Sequence, residues 1–184
     1  MKKYFYFIFS VFIIIGSFHC SSQSSPTRLN KIIIVRHGEK PDVGDNLSCE
    51  GFNRSMQLPA VLQKKFGLPN SIFVPSLNQG KATKVARMYQ TVVPLAVKYN
   101  IDVNTKYDVD DIDGVAGAIK KQQGEVLLVW EHKKIDNIIK ALGVSSTAKW
   151  DDNDFDSIWI ISYSNGVPTL SIDKENIHPA STCP

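Results

Sequence analysis

A histidine and an arginine stand directly at the end of an apolar run near the start of the sequence. Residues 32–35 (IIIV) are followed at once by Arg36, His37 and Gly38. An unbroken run of β-branched residues predicts a buried strand, which must end where the polar residues begin. A neutral imidazole can attack phosphorus, and a guanidinium offers a planar fork of donors to phosphate oxygens. The residue types therefore fit phosphoryl transfer to His37, although a lone histidine at a strand end is more often structural.

A second histidine occupies the same kind of position later in the chain. Residues 125–130 (EVLLVW) form another apolar run, and Glu131 and His132 follow it. In open α/β sheets, ligands bind beyond the carboxyl ends of the strands. Both histidines are therefore expected at one edge of a sheet. Gly38 would let the backbone turn sharply beside His37 and let a ligand approach closely.

Apolar runs that alternate with helical periodicity must position these side chains. The predicted strands are residues 31–35, 71–76, 102–107 and 125–130, and the predicted helices are residues 50–66, 82–99, 110–123 and 132–143. Two late strands, joined by a turn at Gly166, look antiparallel. This alternation predicts an α/β fold, a three-layer α/β/α sandwich with a mostly parallel central sheet. The first helix is expected to be capped by Ser48 and interrupted near Pro59.

The N-terminus has the pattern of a secretory signal. Two lysines precede an uncharged apolar stretch, residues 4–18, which is shorter than the roughly 20 residues of a membrane span. The predicted organisation is a signal peptide at 1–19, a polar tether at 20–30 and one domain at 31–184. Cys20 with the following polar residues resembles a bacterial lipoprotein signal, which would make the protein an exported, periplasmic or cell-envelope lipoprotein. Ordinary cleavage after Ser22 and an uncleaved anchor are the alternatives.

Charge and cysteine content narrow the possible partners. The formal net charge is +3, without the clustered basic patch of a nucleic-acid surface, so no nucleic-acid partner is expected. The membrane is expected to be a partner only through the N-terminal signal or a lipid on Cys20.

Cys49 and Cys183 could pair outside the cytoplasm or remain free thiols. No cysteine or histidine spacing is typical of a zinc site.

The segment "VRHGE" resembles the signature of the histidine phosphatase superfamily, the phosphoglycerate-mutase-like proteins. The resemblance implies a phosphoglycerate-mutase-like fold. It also implies that His37 is a nucleophile that becomes phosphorylated and that Arg36 binds the phosphoryl group.

Three later segments are similar to this family in the same order. "LSCEGFNRSMQLPAVL" resembles its loop-helix segment with Gly51 and Arg54, where a solvated helix position is the alternative for Arg54. "ARMYQTVVPLA" resembles its Arg-x-x-Gln-Thr segment, which implies that Arg87 binds phosphate; a surface cation is the alternative. Ser76 stands in the loop that precedes this arginine. "GEVLLVWEHKKI" resembles the strand that ends in the second catalytic histidine, here His132.

The resemblance implies a phosphoric monoester hydrolase that acts through a phosphohistidine intermediate on a phosphorylated small molecule. Arg36, Arg87 and His132 would hold the phosphoryl oxygens, and no metal or cofactor would be needed, because these cations supply the charge. A phosphoglycerate-mutase-type phosphotransferase is the close alternative. A non-catalytic exported lipoprotein that binds a phosphorylated ligand is the alternative from another class.

The sequence does not decide which group protonates the leaving alcohol. Glu131 is one candidate, as an acid or as a group that orients His132. The aspartates of "YDVDDIDG" are another, namely Asp108, Asp110, Asp111 and Asp113. A site without a dedicated acid is the third possibility. Glu39 is expected either to pair with Arg36 or to cap the following segment.

Overall fold

The apolar runs form a single six-stranded sheet in the computed structural model, which describes residues 28–77 and 85–184. The strands within these residues are β1 (Leu29–Arg36), β2 (Ser71–Phe73), β3 (Val103–Asn104), β4 (Gly124–Trp130), β5 (Ser157–Ser164) and β6 (Val167–Lys174). The helices are α1 (Cys49–Phe66), α2 (Ala86–Tyr99), α3 (Ile112–Ile119) and α4 (His132–Ala141).

The strand order is β3-β2-β4-β1-β5-β6. The pairs β1–β4, β2–β4 and β2–β3 are parallel, whereas β5 runs antiparallel to both β1 and β6. The mostly parallel sheet with an antiparallel pair at one edge is therefore confirmed.

Helices cover both faces of the sheet, which explains why the strands are apolar without interruption. Ile33 and Val35 of β1 pack on one face in a core that includes residues of α1 and α2. Ile32 and Ile34 point to the other face, in a core with residues of α3 and α4. Successive side chains of a strand alternate between faces, so a strand buried on both sides needs an apolar residue at every position. The three-layer α/β/α architecture is confirmed.

Some boundaries differ from the sequence predictions. β1 begins at Leu29, inside the segment predicted as tether, because Gly124 donates a backbone hydrogen bond to Arg28 and extends the β1–β4 pairing. α1 is not interrupted: it continues through Pro59, because Leu58 and Leu62 on either side are buried against the sheet. The capping role of Ser48 is confirmed, since its Oγ accepts a hydrogen bond from Gly51 N at 3.1 Å.

The predicted signal peptide and Cys20 lie outside the described residues. No helix within residues 28–77 and 85–184 is both long and apolar enough to cross a bilayer.

The C-terminal segment that follows β6 is fastened to α1. The Arg54 side chain, which is 5 % exposed, bridges two carboxylates: its Nη2 lies 2.7 Å from Glu39 and its Nη1 lies 2.6 Å from Glu175. Asn53 donates hydrogen bonds to the carbonyls of Ala180 and Thr182. Arg54 is therefore not a solvated helix residue. Burial raises the pKa of Glu175 to about 7, against the opposing effect of Arg54.

A disulfide joins Cys49, the first residue of α1, to Cys183. Of the two states that the sequence left open for these cysteines, the structure contains the paired one. The two cysteines are 134 residues apart in the sequence, so the bridge closes a loop that contains nearly the whole described domain.

We predict that Cys183→Ser lowers the free energy of unfolding by about 2–4 kcal/mol, because the bridge restricts a long loop in the unfolded chain. Denaturant unfolding without reductant measures the difference, and Cys49→Ser should give the same loss. Adding reductant to the wild type should abolish the difference between the proteins. Two thiols that alkylate freely in wild-type protein from an oxidising compartment would contradict the prediction.

Candidate active site

The parallel pairing of β1 and β4 brings the two strand-end histidines together. Arg36 is paired with Trp130 in the register, so His37 and Glu131 leave the sheet side by side, and His132 follows. The ring centroids of His37 and His132 are 6.5 Å apart. The expected convergence at the carboxyl edge of the sheet is thus present in the structure.

His37 is held in the state that a nucleophile requires. Its Nδ1 lies 2.7 Å from the Gly38 carbonyl oxygen, so Nδ1 carries the proton and donates it. The other ring nitrogen, Nε2, is left with its lone pair. Burial lowers the pKa of His37 to about 4, and the nearby Arg36 and Arg87 act in the same direction. The imidazole is therefore neutral and able to attack at neutral pH.

The backbone around His37 is fixed by two other elements. Gly38 N donates a hydrogen bond of 3.0 Å to the Thr91 hydroxyl, which in turn donates to the carbonyl of Arg87 in α2. A side chain on Gly38 would place its Cβ 2.9 Å from the carbonyl oxygen of Gly51 in α1. The glycine is thus needed for close packing against α1. The sharp turn expected at Gly38 is not its role, because its φ angle is not among the positive ones.

Arg36 is oriented by a segment that the sequence did not assign to the site. Its Nη1 donates to the carbonyls of Asp151, Asp152 and Asp154, at 3.3, 2.9 and 3.1 Å. The guanidinium carbon also lies 3.7 Å from the ring centroid of Phe155. The expected pairing of Arg36 with Glu39 is wrong, because the Glu39 carboxylate accepts hydrogen bonds from Arg54.

Arg87 lies in the first turn of α2 and is 7 % exposed, so the alternative of a surface cation is wrong. Burial lowers its pKa, and the carboxylates of Asp45 and Glu131 partly offset that effect. Buried Arg36 responds in the same way, with a pKa lowered to about 10. Desolvated cations of this kind gain stability when an anion binds beside them.

His132, the first residue of α4, is oriented by Asp152. Its Nε2 lies 2.8 Å from Asp152 Oδ1, so the orienting carboxylate is not Glu131. Burial and Arg36 lower the pKa of His132, while Asp152 and Glu131 oppose that shift.

Three buried nitrogen atoms of the site have no hydrogen-bond partner among the described residues: Arg36 Nε, Arg87 Nε and His132 Nδ1. Buried polar atoms are nearly always paired in native proteins, so these three nitrogens are exceptions within the described residues. A cavity of about 240 Å³ is lined by His37, Val85, Arg87, Met88, Val109 and Glu131, so Arg87 reaches it, whereas Arg36 and His132 are not among its lining residues. His37 and Arg87 line this cavity together, and its volume is sufficient for a small tetrahedral anion.

Three of the four aspartates considered as acids have other interactions in the structure. Asp111 caps α3 by accepting a hydrogen bond from Gly114 N, and Asp110 forms an ion pair with Lys134. Asp108 accepts a hydrogen bond from Asp110 N. None of the four aspartates is among the cavity-lining residues, whereas Glu131 is. Ser76 is also absent from this lining, and its backbone N–H donates to Tyr107. Residues 78–84 lie outside the described chain.

Comparison with known proteins points to one fold. No protein-family model and no curated protein sequence matches the chain. Among solved structures, the protein histidine phosphatase SixA in complex with tungstate is similar, with a TM-score of 0.57 and 12% identity over 79% of this chain and 97% of that one. A mycobacterial glucosyl-3-phosphoglycerate phosphatase with inorganic phosphate has a TM-score of 0.54 and 15% identity, over 83% and 98% of the two chains.

A phosphoglycerate mutase from Plasmodium falciparum is also similar, with a TM-score of 0.50 and 12% identity over 82% of this chain and 93% of that one. The chain has the histidine phosphatase fold. The histidine phosphatase fold is shared by phosphatases and by a mutase in this set, so the fold alone does not distinguish hydrolysis from phosphoryl transfer.

The environment of His37 predicts an unusual titration. Because the pKa in the folded protein is about 4, the ring should stay neutral at pH values where a solvated histidine is already charged. Nuclear magnetic resonance of histidine-labelled protein, with the signal assigned by its loss in His37→Gln, measures the midpoint. A midpoint near the ordinary value of about 6.5 would contradict the buried, neutral state.

Proposed function

We propose that the protein is a phosphoric monoester hydrolase that acts through a phosphohistidine intermediate on His37. The observation that supports this most directly is that the neutral His37 lines the same cavity as Arg87, with Arg36 directly before it in the chain and the His132 ring centroid 6.5 Å away. The lone pair on His37 Nε2 and the cationic guanidinium of Arg87 are complementary to a phosphoryl group.

The proposed reaction has two steps. In the first, His37 Nε2 forms a bond to phosphorus while the ester P–O bond breaks and the alcohol leaves with a proton. In the second, water attacks phosphorus, the P–N bond breaks, and inorganic phosphate is released. Arg36, Arg87 and His132 neutralise the charge on the phosphoryl oxygens in both steps, which is the main requirement of phosphoryl transfer.

We propose Glu131 as the group that protonates the leaving alcohol and then accepts a proton from the attacking water. It lines the cavity together with His37 and Arg87. Its carboxylate is not engaged by His132, whose hydrogen bond goes to Asp152. Positioned acids of this kind contribute about 10²–10⁴-fold to the rate.

A phosphoglycerate-mutase-type phosphotransferase would form the same intermediate and pass the group to a second alcohol. A binding protein for a phosphorylated ligand would use the same cations without reaction. The nature of the product separates these functions: a hydrolase releases inorganic phosphate that contains an oxygen from water.

We also propose that the protein is exported, with a lipid on Cys20 as its link to the membrane. The disulfide between Cys49 and Cys183 supports export, because such bonds persist in oxidising compartments and are rare in the cytosol. The substrate would then be a phosphorylated small molecule outside the cytoplasm.

The central experiment is to trap the intermediate. Brief incubation with a phosphate ester labelled in the phosphoryl group, followed by rapid denaturation, should leave a label on the protein that is stable in base and labile in acid. His37→Ala should abolish the label because the attacking nitrogen is removed. His178→Ala is the matched control, since this exposed histidine lies in the C-terminal segment, and it should be labelled like the wild type. An acid-stable label, or one that persists in His37→Ala, would disprove the proposal.

Glu131→Gln should distinguish substrates by their leaving groups. An alkyl phosphate needs a proton on the departing oxygen, so its kcat/KM should fall by about 10²–10⁴-fold. An aryl phosphate leaves without that help and should lose much less. Asp110→Asn, a change of the same kind at a carboxylate paired with Lys134, should affect neither substrate strongly. Equal losses for both substrates in Glu131→Gln would exclude Glu131 as the acid.

A further inference from the structure

The hydrogen bond between His132 and Asp152 has a consequence for the charge of the site. His132 Nε2 is 2.8 Å from Asp152 Oδ1, and a carboxylate can only accept, so Nε2 carries a proton. In a neutral ring, the second nitrogen is then a bare acceptor. That nitrogen, Nδ1, is buried and has no partner among the described residues.

A neutral His132 would present the wrong group to a phosphoryl oxygen. The lone pair of Nδ1 repels an anionic oxygen, whereas an N–H at the same place would donate to it. A protonated ring satisfies both neighbours, with Nε2–H donated to Asp152 and Nδ1–H donated to the anion. Rotating the ring would not solve the problem, because one nitrogen must still face Asp152.

The charges around His132 explain why this proton is absent before the anion arrives and is taken up afterwards. Arg36 from β1 disfavours a cationic ring, as does burial, while Asp152 and its sequence neighbour Glu131 favour one. His37 is buried beside it and neutral. A bound dianion adds two negative charges at Nδ1, which reverses this balance.

Asp152 belongs to a segment that also fixes the other phosphate-binding cation. The carbonyls of Asp151, Asp152 and Asp154 accept hydrogen bonds from Arg36 Nη1. The segment is itself held in place: Trp150 stacks on Trp159, with the ring centroids 5.0 Å apart. One segment therefore holds both Arg36 and His132 in place.

We propose that Asp152 is the positioning residue of His132, and that His132 takes up a proton when a tetrahedral dianion binds. The proposal rests on the anion site of the proposed function but concerns binding, not turnover. Asp152 does not touch the anion. It holds the ring so that Nδ1 faces the anion, and its charge stabilises the imidazolium that the anion requires.

Calorimetric titration with tungstate tests this without substrate. Tungstate remains a dianion near neutral pH, so any proton taken up must go to the protein. Measuring the binding enthalpy in buffers of different ionisation enthalpy gives the number of protons exchanged. We expect uptake of up to about one proton per bound tungstate in the wild type. His132→Asn should abolish the uptake, and His178→Asn, a change at an exposed histidine of the C-terminal segment, should retain it.

The Asp152 variants separate charge from geometry. Asp152→Asn keeps an oxygen that can accept from Nε2–H but removes the negative charge, so proton uptake should fall to about half or less. Tungstate affinity should fall with it, more steeply as the pH rises. The matched control is Asp110→Asn, which removes an exposed carboxylate that contacts the first turn of α4 through Lys134 and leaves His132 untouched. It should retain the wild-type uptake.

In the wild type, tungstate that binds without proton uptake would overturn this inference and leave the phosphatase proposal intact. Uptake that is unchanged in Asp152→Asn would assign the proton but reject the role of Asp152. If no tetrahedral anion binds and no phosphohistidine forms, the anion site itself is wrong, and the proposed function fails with the inference.

Discussion

The parallel pairing of β1 with β4 is the interaction on which the site depends. Its register places Arg36 opposite Trp130, and the two strands then release His37 and His132 into the same space. A shift of one residue in either strand would send every side chain of that strand to the opposite face. The apolar cores on both faces resist such a shift, because Ile32 and Ile33 fit different cores. The hydrophobic pattern of the strands thus fixes the relative positions of the two strand-end histidines.

The three buried arginines Arg36, Arg54 and Arg87 have two different kinds of environment. Arg54 is matched by two carboxylates, Glu39 and Glu175, and these charge-assisted hydrogen bonds raise its pKa against the effect of burial. Arg36 and Arg87 donate no hydrogen bond to a carboxylate among the described residues, and burial lowers the pKa of each. A fully paired arginine joins parts of the fold, whereas an incompletely paired one retains attraction for an anion. The distinction separates a structural cation from two candidate binding cations without reference to any relative.

The sequence was a good guide to features that depend on local pattern. The strand-end positions of His37 and His132, the helical segment that contains Arg87, and the capping by Ser48 all follow from periodicity or from short motifs. The partners of buried charges could not be predicted, because they come together only in the folded chain. Asp152 stands in an acidic stretch that is typical of a solvated loop, and nothing local links it to a histidine on another element. The pairing of Glu39 with Arg54 was missed for the same reason. A buried arginine needs hydrogen-bond acceptors, so knowing that Arg36 and Arg54 are buried would have prompted a search for their partners. The sequence did not show which arginines would be buried.

The C-terminal segment restrains the start of α1, which in turn restrains the backbone beside His37. α1 begins at Cys49, and Gly51 lies in its first turn. Gly51 packs so tightly against the loop between β1 and α1 that a side chain there would place its Cβ 2.3 Å from the Glu39 carbonyl oxygen. Gly38 faces the same turn from the other side, which leaves the backbone beside His37 little freedom to move. The disulfide to Cys183, the hydrogen bonds of Asn53 and the ion pair with Glu175 all hold this end of α1 against the C-terminal segment. Because the carbonyl that orients the His37 ring belongs to Gly38, contacts at the start of α1 that are remote from the cavity help to hold the ring of the proposed nucleophile in place.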